Sequence, residues 1–236
     1  MSDQVETAPE LDDDAPLEAR SPEGLDDEAL ERRAAALAEV LKFGDPVLRS
    51  KASPVTEFDQ ALGEETERMI AIMRDGMGVG LAATQLGILR RVLVFQAGAD
   101  APATALVNPE IEWSSAVEFA TAEEGCLSLP GVVLEVERPL HIRVRASDPN
   151  GTELTIEASG LEARVLQHEI DHLDGVLILQ RAPKEQRRGA MRALREGGTY
   201  APPRPEEEAG DAAAGGDPPA AGNGAGTGAA AGSGAA

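Results

Sequence analysis

Two of the three histidines lie one helical turn apart in "VLQHEIDHLDGV" (165–176). His168 and His172 face the same side of an α-helix at this spacing, so both imidazoles can bind one metal ion. Glu169 lies beside them, where its carboxylate can take a proton from water and later return it. The pattern predicts a catalytic metal site on a buried helix, with a chance match on a surface helix as the alternative.

A catalytic metal site needs a third protein ligand and one open position. No histidine follows His172, and the next acidic residue after Asp174 is Glu185, in a basic segment. An endoprotease with this motif would usually take its third ligand from that downstream region. The only cysteine, Cys126 in "EEGCLSLP" (123–130), would complete a Cys-His-His set, although a lone cysteine is most often a buried small apolar residue. Residue chemistry alone favours zinc for such a set.

The segment "GMGVGLAATQLGI" (76–88) is rich in glycine and alanine, which indicates that another group approaches its backbone closely. Dinucleotide binding is not favoured, because the segment follows a helix-like stretch and has no lysine for a phosphate. Gln85 is the polar residue that stands out there. A buried amide needs hydrogen-bond partners, and an amide N–H near a metal-bound carbonyl would stabilise an oxyanion.

These three segments together resemble the motifs of peptide deformylases, which remove the N-formyl group from nascent bacterial proteins. The matching stretches are "GVGLAATQ" (78–85), "EGCLS" (124–128) and "QHEIDH" (167–172), in the family's order. "LKFGDPVLRSKASPV" (41–55) is also similar to the family's N-terminal segment. The resemblance spans about residues 40–195 and implies release of formate from N-terminal formylmethionine during protein synthesis.

The resemblance implies a role for each residue of the metal site. Cys126, His168 and His172 would bind one metal ion per chain, Fe²⁺ in bacterial members, with Zn²⁺, Ni²⁺ or Co²⁺ as substitutes. Glu169 would be the general base and general acid.

It also implies residues that contact the substrate. The Gln85 side-chain N–H and the Leu127 backbone N–H would bind the carbonyl oxygen as it gains charge. Gly80 would let its backbone approach the peptide. For the methionine side chain we predict an apolar slot, with plain core packing as the alternative; the candidates are Val79, Leu127, Leu161 and Val165.

Two charged features are interpreted through the same resemblance. Asp171 lies three residues from His168 and faces inward, and the resemblance implies Arg138 as its partner; a solvated Asp171 is the alternative. The basic helix 183–197 would bind ribosomal RNA near the exit tunnel, unless it is only a solvated terminal helix. The segment 181–195 holds one acid, Glu185, against six bases: Arg181, Lys184, Arg187, Arg188, Arg192 and Arg195.

The elements that must position these residues follow from the spacing of apolar residues. We predict helices at 26–41 with Asp26 as N-cap, at 57–76 and at 161–175, and strands within 91–97, 105–124 and 132–160, with a "DPNG" turn inside the last. The strands follow one another through short turns, and helices lie at both ends. The predicted fold is therefore α+β, with antiparallel sheets packed around the central helix that carries the metal motif, plus an N-terminal and a C-terminal helix.

Composition sets the domain limits. The net charge of −21 is concentrated at the ends, where residues 1–31 carry twelve acids against one arginine. We predict an acidic, largely disordered extension at 1–37, a catalytic domain at 38–197 and a disordered Gly/Ala/Pro-rich tail at 198–236. One cysteine excludes an intrachain disulfide. Without a signal peptide or a long apolar run, we expect a cytoplasmic protein with neither membrane nor DNA as partner.

Three classes of function remain after this reasoning. A formyl-peptide hydrolase is favoured, an H-E-x-x-H endoprotease lacks its downstream ligand, and an RNA- or ribosome-binding module would keep the metal only for stability. Glu169 argues against the last class, because a structural site needs no base and is closed by a fourth ligand.

Overall fold

The structure is a computed structural model that describes residues 24–203. Within this range the helices are α1 Asp27–Glu39, α2 Gln60–Asp75, α3 Gly160–Leu173, α4 Ile178–Arg181 and α5 Lys184–Glu196. The strands are β1 Gly80–Ala82, β2 Val92–Phe95, β3 Thr104–Ser114, β4 Phe119–Gly125, β5 Val133–Pro139, β6 His141–Ser147 and β7 Glu153–Ser159. None of these helices has the length and apolar character needed to cross a bilayer.

The strands form two antiparallel sheets. One has five strands in the order β1-β2-β3-β6-β7, and the other is the hairpin β4–β5. Helix α3 is almost wholly buried and contacts strands of both sheets. The predicted α+β class with antiparallel sheets around a central helix is confirmed.

Local sequence signals explain two of the elements. Helix α2 begins where the Asp59 carboxylate accepts the Leu62 N–H at 2.9 Å, and it ends at Gly76 as predicted. In the "DPNG" turn, the Asp148 carboxylate accepts the backbone N–H groups of Asn150 and Thr152, both at 2.8 Å. This Asx-type turn pairs β6 with β7 in continuous register.

Helix α1 corrects the predicted boundary at residue 37. The Asp26 side chain accepts the Ala29 N–H at 2.8 Å, which is the predicted N-cap. Ala36 and Val40 are buried in a core cluster that includes side chains of α2. Residues 27–37 are therefore part of the folded protein. Small alanines gave too weak a hydrophobic signal for sequence patterns to place them there.

The C-terminal boundary at residue 198 is also too early. The Tyr200 backbone N–H donates to the Gly131 carbonyl at 2.8 Å, and its carbonyl accepts the Val133 N–H at 2.8 Å. The Tyr200 ring packs against the apolar cluster beneath α5. Residues 1–23 and 204–236 lie outside the described residues, so their predicted disorder stays a prediction.

Candidate metal site

The three predicted metal ligands converge on one point. His168 and His172 lie on the same face of α3, both buried, with ring centroids 5.0 Å apart. Cys126 follows the last residue of β4, and its Sγ lies 3.2 Å from His172 Nε2. One ligand atom from each of the three residues lies within 4.8 Å of the others. A thiolate with two imidazoles fits a divalent transition metal.

A short segment of backbone joins two loops of the site. The Leu41 N–H donates to the Gln85 carbonyl at 2.7 Å, and the Phe43 N–H donates to the Ser128 carbonyl at 2.9 Å. Residues 41–43 thus fix the Gln85 turn relative to the turn that follows Cys126. The family-like N-terminal segment has a structural role in the site.

Gln85 lies in a single 3₁₀ turn directly after β1 and is buried. Its Oε1 accepts the Ala82 backbone N–H at 2.9 Å, which fixes the orientation of the amide. The Nε2 group therefore faces the site, 3.7 Å from Cys126 Sγ and 3.3 Å from Ser128 Oγ. The predicted oxyanion donor is within reach of the metal ligands.

Leu127 follows Cys126 and lines the same cavity. Its carbonyl accepts from Lys42 Nζ at 3.2 Å, which ties this loop to the segment that follows α1. Among residues 24–203, no acceptor is found for its backbone N–H. That group is available to a ligand, as its predicted role requires.

Glu169 is buried beside the three ligands, and its Oε2 has no hydrogen-bond partner among the described residues. The pKa of this carboxyl is raised to about 7, chiefly by burial and also by the charge of Glu124, while the charges of His168 and Arg138 oppose the shift. A carboxyl with a pKa near the working pH can both take and return a proton.

Gly80 has a second reason to be glycine. A Cβ at this position would lie 2.8 Å from both Cγ and Cδ of Glu169, closer than side-chain carbons pack. The absence of a side chain leaves the space that the Glu169 side chain fills. The predicted approach of the Gly80 backbone to substrate remains compatible with this packing.

Glu124 is the site residue that sequence reasoning missed. It is fully buried, and its Oε2 lies 3.0 Å from His168 Nδ1. Hydrogen bonds from Arg138 at 2.6 and 2.9 Å and from Arg164 at 2.8 Å satisfy the rest of the carboxylate. A carboxylate on Nδ1 fixes the orientation of the imidazole and leaves Nε2 free to bind a metal. The only sequence signal was an acid two residues before the single cysteine.

This network sets the charges of the buried groups. Burial opposes the charge of Glu124, but hydrogen bonds from His168 and Arg138 lower its pKa well below the usual range. Burial also opposes a charge on His168, yet its bonds to Cys126 and Glu124 raise its pKa. For His172, burial and then the charge of His168 lower the pKa.

The ion pair predicted for Asp171 is confirmed. Arg138 Nη1 donates to Asp171 Oδ2 at 3.0 Å, and both residues are buried. Arg181 also donates to Asp171, at 2.5 and 3.0 Å. Arg181 was grouped with the basic helix, but the structure places it in this internal network.

An open cavity of about 400 Å³ adjoins the metal ligands. Of the residues predicted to contact substrate, Val79, Gly80, Leu127 and Val165 line it. Leu161 is not among the lining residues and packs, half-buried, against the core between α3 and the larger sheet. Arg33 and Leu37 of α1 also line the cavity, and no sequence signal predicted them there.

The fold and the site define an α+β protein with a Cys-His-His metal-binding set beside an open cavity. The sequence profile described as polypeptide deformylase matches residues 37–188. The chain therefore belongs to the polypeptide deformylase family, whose members are hydrolases. Membership implies removal of the N-formyl group from nascent peptides.

Individual relatives agree with this assignment. The peptide deformylase of a Parafrankia species is 41% identical over 72% of this chain and 92% of its own length. That of Thermotoga neapolitana is 49% identical over 61% of this chain and 87% of its own. The solved structure of the Synechococcus elongatus peptide deformylase, in complex with actinonin, has a TM-score of 0.63 and 38% identity, covering 69% of this chain and 88% of that one.

Proposed function

We propose that the chain is a metal-dependent hydrolase that releases formate from the N-terminal formylmethionine of nascent polypeptides. The observation that carries the proposal is Glu169, a buried carboxyl with a free oxygen next to the three converging ligands. A purely structural metal site would have no use for an unpaired buried carboxyl.

Cys126, His168 and His172 would hold the metal, for which we propose Fe²⁺, with Zn²⁺, Ni²⁺ or Co²⁺ as substitutes. When bound, the metal supplies Lewis-acid chemistry, polarising the formyl carbonyl and making water more acidic. A thiolate ligand is also a point of attack for oxidants, which fits an oxygen-sensitive site.

In the proposed reaction, one residue beside the ligands transfers protons and two others stabilise the developing charge. Glu169 takes a proton from the attacking water as the oxygen bonds to the formyl carbon. Gln85 Nε2 and the Leu127 N–H donate to the carbonyl oxygen as it becomes an oxyanion. Glu169 then gives its proton to the leaving amine, so that the C–N bond breaks into formate and a free N-terminus.

The cavity provides the space for the first residue of the peptide. An apolar wall close to the catalytic groups is formed by Val79, Leu127 and Val165, and it suits the unbranched methionine side chain. Gly80 leaves the backbone of β1 open to the peptide on this side.

A formate-release assay with formyl-Met-Ala-Ser tests the proposal. Release of formate that stops on chelation and returns with Fe²⁺ supports it. Loss of activity in Glu169→Ala with metal content unchanged would assign the proton transfers to that carboxyl. Cleavage of internal peptide bonds without formate would favour an endoprotease, and no hydrolysis would favour a non-catalytic module.

We also propose that α5 binds ribosomal RNA near the exit tunnel. Its apolar side chains Ala190, Met191 and Leu194 pack in the cluster that contains β5 residues. A groove of about 680 Å³ beside them is lined by Met191 and by five exposed arginines, four of them on α5: Arg49, Arg187, Arg188, Arg192 and Arg195. Clustered arginines suit a phosphate backbone.

Deleting 183–236 would uncover that apolar cluster, so charge variants are the sharper test. The double variant Arg188→Glu/Arg192→Glu should lower ribosome co-sedimentation and its dependence on salt. Formate release from a short peptide should be unchanged. The double variant Arg143→Glu/Arg145→Glu, which reverses two exposed arginines on β6, is the matched control. Equal ribosome binding by the α5 variant and the wild type would contradict the docking proposal.

A further inference from the structure

Helix α1 lies largely outside the region that matches the family, yet it forms part of the active-site cavity. The family profile begins at residue 37, whereas α1 begins at Asp27. Arg33 and Leu37, one turn apart on this helix, both line the cavity. A wall supplied by this segment is a feature of this chain that family membership does not assign.

Several contacts hold α1 in this position. Ala36 and Val40 are buried in the cluster shared with α2, and Glu39 pairs with Arg68 of α2. Lys42 Nζ donates both to the Leu37 carbonyl at 2.9 Å and to the Leu127 carbonyl at 3.2 Å. The end of α1 is thus tied directly to the loop that carries the predicted oxyanion donor.

Arg33 is the cation in this cavity wall that no metal-site role explains. Four charged or titratable side chains line the cavity within residues 24–203, and all but the first belong to the catalytic group: Arg33, Cys126, His168 and Glu169. Arg33 is half-buried, its Nε is buried without a hydrogen-bond partner, and it forms no ion pair with a described residue. Its neighbour Arg32, in contrast, is exposed and paired with Glu28 at 2.8 Å. A half-buried guanidinium keeps its charge and favours a carboxylate partner.

We propose that Arg33 is a specificity-determining residue that favours substrates with an acidic side chain shortly after the formylmethionine. This inference rests on the proposed function. A deformylase holds only the N-terminus of its substrate at the metal, so the following residues must leave through the open cavity. They then pass the wall formed by α1, where Arg33 offers a charge beside the apolar Leu37.

The test compares peptides that differ in one side chain. In formyl-Met-Ala-Ser-Ala, Asp, Asn or Lys replaces each residue after methionine in turn, and kcat/KM is measured by formate release at low salt. At one position or more, the kcat/KM of wild type should be about two- to fivefold higher for the Asp peptide than for the Asn peptide, mainly because KM is lower. Arg33→Gln should bring this ratio close to one, and Arg33→Glu should favour Lys instead. High salt should weaken the preference.

Arg32→Gln is the matched control and should keep the wild-type ratio, as it removes an arginine of the same helix that does not line the cavity. An Asp preference that survives in Arg33→Gln would overturn the inference. An equal loss of kcat/KM for all peptides in Arg33→Gln would also overturn it. So would an equal gain for all peptides, which would indicate that Arg33 binds the chain's own acidic N-terminal segment. If no variant, wild type included, releases formate, the proposed deformylase function itself fails.

Discussion

Two neighbouring buried polar regions along helix α3 differ in how their hydrogen bonds are satisfied. In the metal region, Glu169 Oε2 and His172 Nδ1 are buried without a partner among the described residues. In the neighbouring ion network, Glu124 and Arg138 are joined by two hydrogen bonds, and Asp171 extends the network at 3.0 Å. Both regions are equally removed from water, so burial alone does not distinguish them.

The difference in hydrogen bonding indicates that the two regions have separate roles. A buried polar atom without a partner is costly, and it persists where a ligand or a reaction requires it. A buried carboxylate with two arginines is satisfied within the protein and can act as a fixed support. The metal region would therefore carry the chemistry, and the ion network would hold His168 in place through Glu124.

The largest effect is expected from Glu169→Gln. The amide keeps the shape of the side chain but cannot accept a proton, so formate release should fall by about 10²–10⁴-fold. Metal content, measured by elemental analysis, should match that of wild type, because none of the three ligands changes. Activity within tenfold of wild type would remove Glu169 from the proton transfers.

Glu124→Gln should act on stability. The neutral amide would leave Arg164 without its counter-charge and Arg138 with Asp171 alone, so the free energy of unfolding should fall by about 3–5 kcal/mol in urea titrations. The control Glu157→Gln removes an exposed partner of Arg143 and should cost less than about 1 kcal/mol. Similar losses in the two variants would show that the buried network gives no special support.

The same carboxylate predicts a dependence of stability on pH. The pKa of Glu124 in the folded protein lies below its ordinary value of 4.5, so the folded state binds fewer protons than the unfolded state in that range. The contribution of Glu124 to the free energy of unfolding is complete above about pH 5 and is lost as the pH falls below about 4. Urea titrations at several pH values should show this acid-side loss in wild type and a smaller one in Glu124→Gln.

Gly80→Ala should disturb the metal region without unfolding the protein. The new Cβ would press on Glu169 Cγ and Cδ and displace the carboxylate, for which we expect kcat to fall by about 10²-fold. Gly63→Ala, where the added Cβ meets nothing within 4 Å, is the control and should retain full activity. A fully active Gly80→Ala enzyme would mean that Glu169 tolerates displacement.

Arg181→Gln should give the smallest change. Arg181 is half exposed and shares Asp171 with the buried Arg138, which remains as a partner. The free energy of unfolding should drop by less than about 1 kcal/mol, as measured in urea. A loss as large as that of Glu124→Gln would place Arg181 among the essential members of the network.

Sequence patterns pointed to three residues that converge in the structure, because residue type and helical spacing constrain them. His168 and His172 had to share a face once α3 was a helix, and Cys126 was the single thiol available. Leu161 shows the limit of such reasoning. It lies seven residues before His168 and so on a similar face, but about two turns away, where it contacts the core and not the cavity.

The sequence by itself determined the metal-binding residue types, the turn at "DPNG", the amphipathic α2 and the N-cap of α1, since each depends on residues a few positions apart. Tertiary structure alone decided that Glu124 supports His168, that Gly80 makes room for Glu169 and that Arg33 reaches the cavity. These contacts join segments far apart in the chain. These contacts depend on how the β4–β5 hairpin, α1 and α3 pack together. The spacing of residues along the chain does not determine that packing.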